Sequence, residues 1–286
     1  MNYKLWIMKK TKVIRSYSID KENEENKQLS SLLEYDENEN LICSISYFDD
    51  EMIENKTVYK YNEKKQLIEQ IDYISEDEIS EQSRFKYYED GELCEHETEY
   101  SEGGKSIKKI KFDKSENTKT VSEIDEDGEI ESIEIEKFDK SGRIVERQIF
   151  DESNKLESKT QNSYNENAKL TNRIEFGKKG EFLIEHHLTY NERGFPMKQI
   201  SVNKKKELVD KLLIEYDEKD RVLKEQHGNK MVIRYDFDDK NRTLKESRFN
   251  AADNLEYERI SRFDENKQLI EEEDFNSIVK YEYEYF

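Results

Sequence analysis

The stretch Phe138-Asp139-Lys140-Ser141-Gly142-Arg143-Ile144-Val145-Glu146-Arg147-Gln148-Ile149-Phe150 decides the fold. Asp-Lys-Ser-Gly is turn chemistry, because Asp caps its own backbone and Gly takes positive φ at no steric cost. Arg143 to Phe150 then runs as an extended segment ending on an aromatic. The same unit recurs along the chain. Tyr35, Tyr61, Tyr88, Phe112, Phe138, Tyr164, Tyr190, Tyr216, Phe237 and Phe263 are spaced by 26, 27, 24, 26, 26, 26, 26, 21 and 26 residues, and nine of the ten are followed by Asp or Asn. Regular self-similarity at such a period signals a repeat architecture, here about ten copies of a two-strand unit.

A second aromatic falls 12 residues after several anchors, as in Tyr61 to Tyr73, Tyr164 to Phe176 and Phe263 to Phe275. Each half of the unit is therefore one strand and one turn, and the unit is a β-hairpin. Successive side chains of a strand point to opposite faces, so Phe182, Ile184, His186, Leu188 and Tyr190 share one face, while Leu183, Glu185, His187 and Thr189 share the other. The short 21-residue interval coincides with Gly228-Asn229, which suits a two-residue hairpin turn.

Residues 1–34 read as an N-terminal cap, with Tyr3, Leu5 and Ile7, then Val13, Arg15, Tyr17 and Ile19, set apart from Leu29–Tyr35 by the polar run Asp20–Gln28. Residues 35–286 form the repeat domain, and Ile278–Phe286 alternates as a last strand closing the sheet. Roughly twenty strands make a sheet too wide to stay flat. The expected fold is all-β: one long antiparallel meander curled into a spiral or half-pipe, with aromatics along its inner side and charges outside.

The anchor pattern resembles the YD repeats of RHS-type proteins, most closely at Phe138-Asp139-Lys140-Ser141-Gly142-Arg143-Ile144 and Tyr190-Asn191-Glu192-Arg193-Gly194, over approximately Tyr35 to Phe275. MORN-like repeats of bacterial antitoxin components are similar too. The resemblance implies spiralling β-sheets, a bacterial source and a protein-binding role such as an immunity or antitoxin-like factor. Elsewhere the turn glycine is replaced, by Glu39, Lys65, Glu116, Ala168, Asp220, Asn241 or Lys267.

Composition bounds the function. The 286 residues carry 68 acidic against 48 basic side chains, a formal charge of -20, which opposes nucleic acid and anionic membrane and favours a basic protein partner. Hydrophobic residues are 33% and charged residues 41%, yet 18 Tyr and 13 Phe argue against disorder. Cys43 and Cys94 have no metal-ligand spacing and do not make a disulfide framework. No signal peptide or apolar run of membrane-spanning length is visible from Met1 onward, and the expected location is cytoplasmic.

Glu123-Ile124-Asp125-Glu126-Asp127-Gly128-Glu129-Ile130, with Glu134 at the twelfth position, imitates an EF-hand loop. The repeat itself generates that pattern between two strands. His186-His187 cannot chelate one ion, since neighbours on a strand point apart. His96, His186, His187 and His227 are scattered over separate units, so no nucleophile, base and orienting set is expected, and neither catalytic residues, cofactor nor metal is assigned. The expected function is non-catalytic protein binding, with a structural spacer or shell segment, open-edged and at the cell surface, as the alternative.

Overall fold

The computed structural model describes residues 10–48 and 52–286. Tyr3, Leu5 and Ile7 lie outside the described residues. These residues form 22 strands, β1 (Thr11–Asp20) through β22 (Ser277–Tyr285), each paired antiparallel with its neighbour in sequence. The polar run after Asp20 is no separator: only Lys21 and Glu22 turn the chain before β2 (Asn23–Tyr35) begins.

The turns follow from the sequence. At Asp139 the backbone N–H bonds the Arg143 carbonyl at 2.9 Å, and the Gly142 N–H bonds the Asp139 carbonyl at 3.0 Å, a type I turn extended by one left-handed residue. The Asp139 carboxylate accepts the N–H groups of Ser141 at 2.8 Å and Arg143 at 3.0 Å. Asp36, Asn62, Asn165, Asn191, Asp217 and Asp264 cap their turns in the same way. An Asp or Asn after the anchor is thus a turn cap, selected because its short side chain reaches its own backbone.

The anchors staple successive units. Tyr61, Tyr164, Tyr190 and Tyr216 each donate their hydroxyl to the carbonyl 20 residues earlier, at 2.6–2.9 Å. In the third unit Tyr87 makes this bond to Leu67 at 2.7 Å, whereas Tyr88 occupies the turn-capping place. The anchor there is Tyr87, not Tyr88; two adjacent aromatics hid the register.

Where glycine is replaced, the left-handed conformation persists: φ is 65° at Glu39, 60° at Lys65, 60° at Ala168, 66° at Asp220 and 67° at Lys267. In two units the left-handed residue is Asn117 or Arg242, one place after the Glu116 and Asn241 expected from sequence. A side chain with a Cβ costs about 1–2 kcal/mol in this region. Ala168→Gly is therefore expected to raise stability by about 1 kcal/mol and Gly142→Ala to lower it by a similar amount, read as opposite shifts in the urea midpoint. The short connection is a three-residue loop, Gly228 to Lys230, between the paired residues His227 and Met231, not a two-residue turn.

The last strand corrects the expected spiral. β22 pairs with β21 (Leu269–Glu273) on one side and with β1 on the other, in register from Val13↔Glu284 to Asp20↔Ser277. The first and last strands are neighbours, so the sheet is a closed 22-strand antiparallel barrel and neither a spiral nor a half-pipe. Closure leaves no free sheet edge. Following the pairings once round displaces the register by about 22 residues, a shear equal to the strand number, which corresponds to a strand tilt of about 36°. With strands about 4.8 Å apart, the backbone cylinder is roughly 40 Å across.

Such a barrel is too wide for its side chains to fill. Strands touch only their neighbours around the ring, and the apolar residues buried among those described are Val13, Ile19, Ile110 and Ile233. The accessible surface is 19562 Å². A compact protein of this mass exposes roughly 13,000 Å², so the excess belongs to a single-layer wall wet on both sides.

Candidate functional site: the lumen wall

A barrel of this kind offers two surfaces, and the register decides which side chains line the inner one. With the right-handed twist of L-residue strands, the sense of the shear turns Ser16, Ser83, Thr98, Glu136, Ser201, Glu246 and Ser261 inward. These seven are 2–7% exposed, while Val13, Ile19, Glu185 and Ser247 are buried on the outer face. Short hydroxyl side chains dominate the inward set. The expectation of charges confined to the outside is overturned, since charged residues line both faces; Phe85, Tyr235, Tyr257 and Tyr281 share the inner face with them, while the tyrosine staples gather at strand ends.

Two ion-pair networks stand on the inner wall. In the first, Glu246 on β19 (Thr243–Asn250) is 7% exposed and accepts from Arg248 at 2.6 Å and from Arg259 on β20 (Leu255–Phe263) at 3.1 Å. Arg259 also meets Glu272 at 3.2 Å, and Glu272 accepts the Tyr281 hydroxyl at 2.8 Å. Burial, and then the bond to Glu272, push the Tyr281 phenol far above its ordinary range. In the second, Glu136 on β10 (Ile130–Phe138) is 3% exposed and lies between Lys119 at 3.2 Å and Arg147 at 2.9 Å, with Glu134 at 2.8 Å from Arg147.

The histidines separate as strand geometry demands. His186 faces the lumen and bonds Ser201 at 2.8 Å, whereas His187 faces outward beside Asn172 and Glu185. His227 contacts Glu225 at 3.3 Å. His96 stacks on Phe85 with centroids 4.5 Å apart and bonds Ser83 at 3.0 Å and Thr98 at 3.2 Å. That Ser–His contact spans 13 residues and crosses two strands, so sequence spacing did not suggest it. Ser83 is itself buried at the wall, which denies a substrate access to its oxygen.

The EF-hand-like segment is a hairpin. Asp125 caps the turn through the N–H groups of Asp127 and Glu129, Glu123 pairs with Lys108, and Glu134 belongs to the second network. Among the described residues no cluster of three or more His, Cys, Asp or Glu is arranged to hold a metal ion. Cys43 and Cys94 are both free thiols, and they stand on different strands and opposite faces of the wall.

Outside, cross-strand pairs clothe the barrel. Lys105 and then Arg84 hold the Glu97 carboxyl below its usual range, Lys60 does so for Glu69, and Lys206 for Glu185. Inside, burial first and then the charge of Lys108 push the His96 imidazole down. Both signs run the same way. A lowered histidine makes the unfolded chain bind its proton first below about pH 6.5, and lowered carboxylates do likewise below about pH 4.3. Stability is expected to decline in two stages on acidification, and His96→Gln to remove the first, as read from thermal midpoints at pH 7.5, 5.5 and 3.5.

The geometry defines a class: a closed, hollow, single-layer β-barrel whose wall is polar and ion-paired on both faces. Comparisons with known proteins add the following. A family model described as an uncharacterised protein matches residues 122–193. No curated protein matches the chain. Among solved structures it is similar to a chain of the Tc holotoxin pore of Photorhabdus luminescens, with 11% identity and a TM-score of 0.34 over 87% of this chain and 16% of that one. It is also similar to a porin-like protein from Bacteroides uniformis, with 10% identity and a TM-score of 0.36 over 96% of each chain. The chain thus spans about a sixth of the toxin chain's length.

Proposed function

We propose that this chain is a non-catalytic binding protein whose barrel takes a basic polypeptide segment into its lumen. The observation that carries the reading is the wet, acid-rich inner wall. Beyond the two networks, Asp72, Glu81 and Asp210 occupy lumen-facing positions without an ion pair among the described residues. A cationic segment is drawn to such a wall by complementary charge, and lysine and arginine donate to its carboxylates and to the hydroxyl oxygens, which also accept. A cytoplasmic bacterial immunity or antitoxin-like factor that sequesters part of a basic toxin fits this chemistry.

Two other uses fit less well. A bilayer-spanning barrel needs a continuous outward apolar band. Here Lys60, Glu69, Arg84, Lys86, Glu95 and Glu97 occupy the outer mid-wall. A spacer or shell segment that joins further sheets needs free edges, and the β1–β22 pairing consumes them.

Titration calorimetry with an arginine-rich peptide at low salt tests the reading. Asp72→Asn, Glu81→Gln and Asp210→Asn combined are expected to weaken binding about tenfold, and neutralising Glu95 and Glu97 on the outer wall to leave it nearly unchanged. Absence of binding, or equal sensitivity to both sets, overturns the proposal.

A further inference from the structure

The two rims of the barrel differ. The rim formed by the turns that follow odd-numbered strands carries exposed Phe48, Ile74, Tyr100, Leu208, Val209 and Phe275, each about half accessible. Its charge is also segregated. Turns 74–78, 101–104 and 125–129 are adjacent and present Glu76, Asp77, Glu78, Glu102, Glu126 and Asp127, with no lysine or arginine among them. Turns 177–181, 203–207 and 228–230 are likewise adjacent and are predominantly basic, with Lys179, Lys204, Lys205 and Lys230 free of ion pairs, Lys178 and Lys206 paired to the wall, and Glu181 and Glu207 as their two acidic residues. The six acidic residues of the first arc and these four free lysines are exposed, and none has an ion pair among the described residues, although ion pairs cover the wall.

The placement of the arcs is self-complementary. Turn 152–155 lies midway between them, with three turns to either side. A two-fold axis in the plane of the rim through that turn lays each acidic turn on a basic turn of a second copy, and it sets Tyr100, beside turn 101–104, against Leu208 and Val209, beside turn 203–207, across the same plane. Isologous contacts of this kind are the commonest way for identical chains to associate.

We propose that this rim is a dimer interface at which two copies join end to end, so that their lumens become one longer chamber open at the two opposite rims. The free charges of both arcs remain unpaired in the single chain because each arc is completed by the other's counterpart in the second copy. The apolar residues supply area, and the charges set the angle of rotation.

Light scattering coupled to size exclusion in 50 mM salt is expected to give twice 34.5 kDa. Glu126→Lys with Asp127→Lys is expected to give a monomer, as is Lys178→Glu with Lys179→Glu in turn 177–181, which the two-fold sets opposite turn 125–129. Mixing the two variants restores a dimer, because each reversed arc then faces its complement. Raising the salt to 1 M is expected to weaken the wild-type dimer at least tenfold. A monomer at every concentration up to 0.5 mM in 50 mM salt overturns the proposal. So does a dimer that both reversals leave intact, or a mixture of monomeric variants that stays monomeric although each retains the wild-type circular dichroism spectrum.

Discussion

Lys280→Pro is expected to destabilise the whole protein by about 3 kcal/mol or more, although only six residues of the sequence follow it. Lys280 sits in the middle of β22, opposite Tyr17 of β1 and Glu271 of β21. Proline removes a ladder hydrogen bond and its ring clashes with regular pairing, and both effects fall on the seam that joins the ends of the sheet. In an open sheet the last strand would be an edge, where the same substitution frays a terminus at little cost. Here it reopens two edges in a wall whose buried apolar residues, among those described, are only Val13, Ile19, Ile110 and Ile233. A loss of that size corresponds to roughly 6–12 °C in the thermal midpoint for a chain of this length, with a tendency to aggregate through the freed edges. A change below about 2 °C would show that the seam contributes little.

The second large effect is expected at Glu136. Lys119→Met combined with Arg147→Met removes both cations that meet this carboxylate and leaves an uncompensated charge at the inner wall. Breaking a buried pair costs about 3–5 kcal/mol, reduced to about 2–3 here because the Arg147 side chain is half exposed. Adding Glu136→Met to the same protein should restore most of the loss, since an apolar replacement of the whole network leaves nothing buried and unpaired. Urea midpoints of the double and triple variants check this. Equal midpoints would mean that water solvates Glu136 and that the lumen wall is less crowded than its burial implies.

Much of this fold was legible because its determinants are local. Asp or Asn after an aromatic reports a turn that the side chain itself caps, and the two-residue alternation of Phe182 to Tyr190 reports which residues share a face. Strand boundaries followed from those two signals, and so did the separation of His186 from His187. Closure was not legible. It depends on twist and register accumulated over every strand, each step too small to leave a mark on any one repeat. The only sequence trace is that β1 and β22 both alternate to their ends, which a spiral also permits.

The candidate site was hidden for a related reason. Glu246, Arg259, Glu272 and Tyr281 come from four strands and are adjacent only because the sheet brings positions 9–13 residues apart side by side. In a chain with 41% charged residues such partners cannot be picked out by type. The expectation of charges kept outside failed because ion-paired carboxylates and guanidinium groups share the inner wall with Phe85, Tyr235 and Tyr281. The stapling tyrosines spend their hydroxyls at the rim.

The most direct test of the closed barrel is a cross-link over the seam. Ser18 and Val279 are paired across β1 and β22 on the lumen face. With Cys43→Ser and Cys94→Ser as background, Ser18→Cys and Val279→Cys are expected to form an intramolecular disulfide on mild oxidation at micromolar concentration. The account predicts a monomeric, faster-migrating species on a denaturing non-reducing gel, two mass units lighter than the reduced chain. Persistence of both thiols, or cross-linking only between chains, would contradict it.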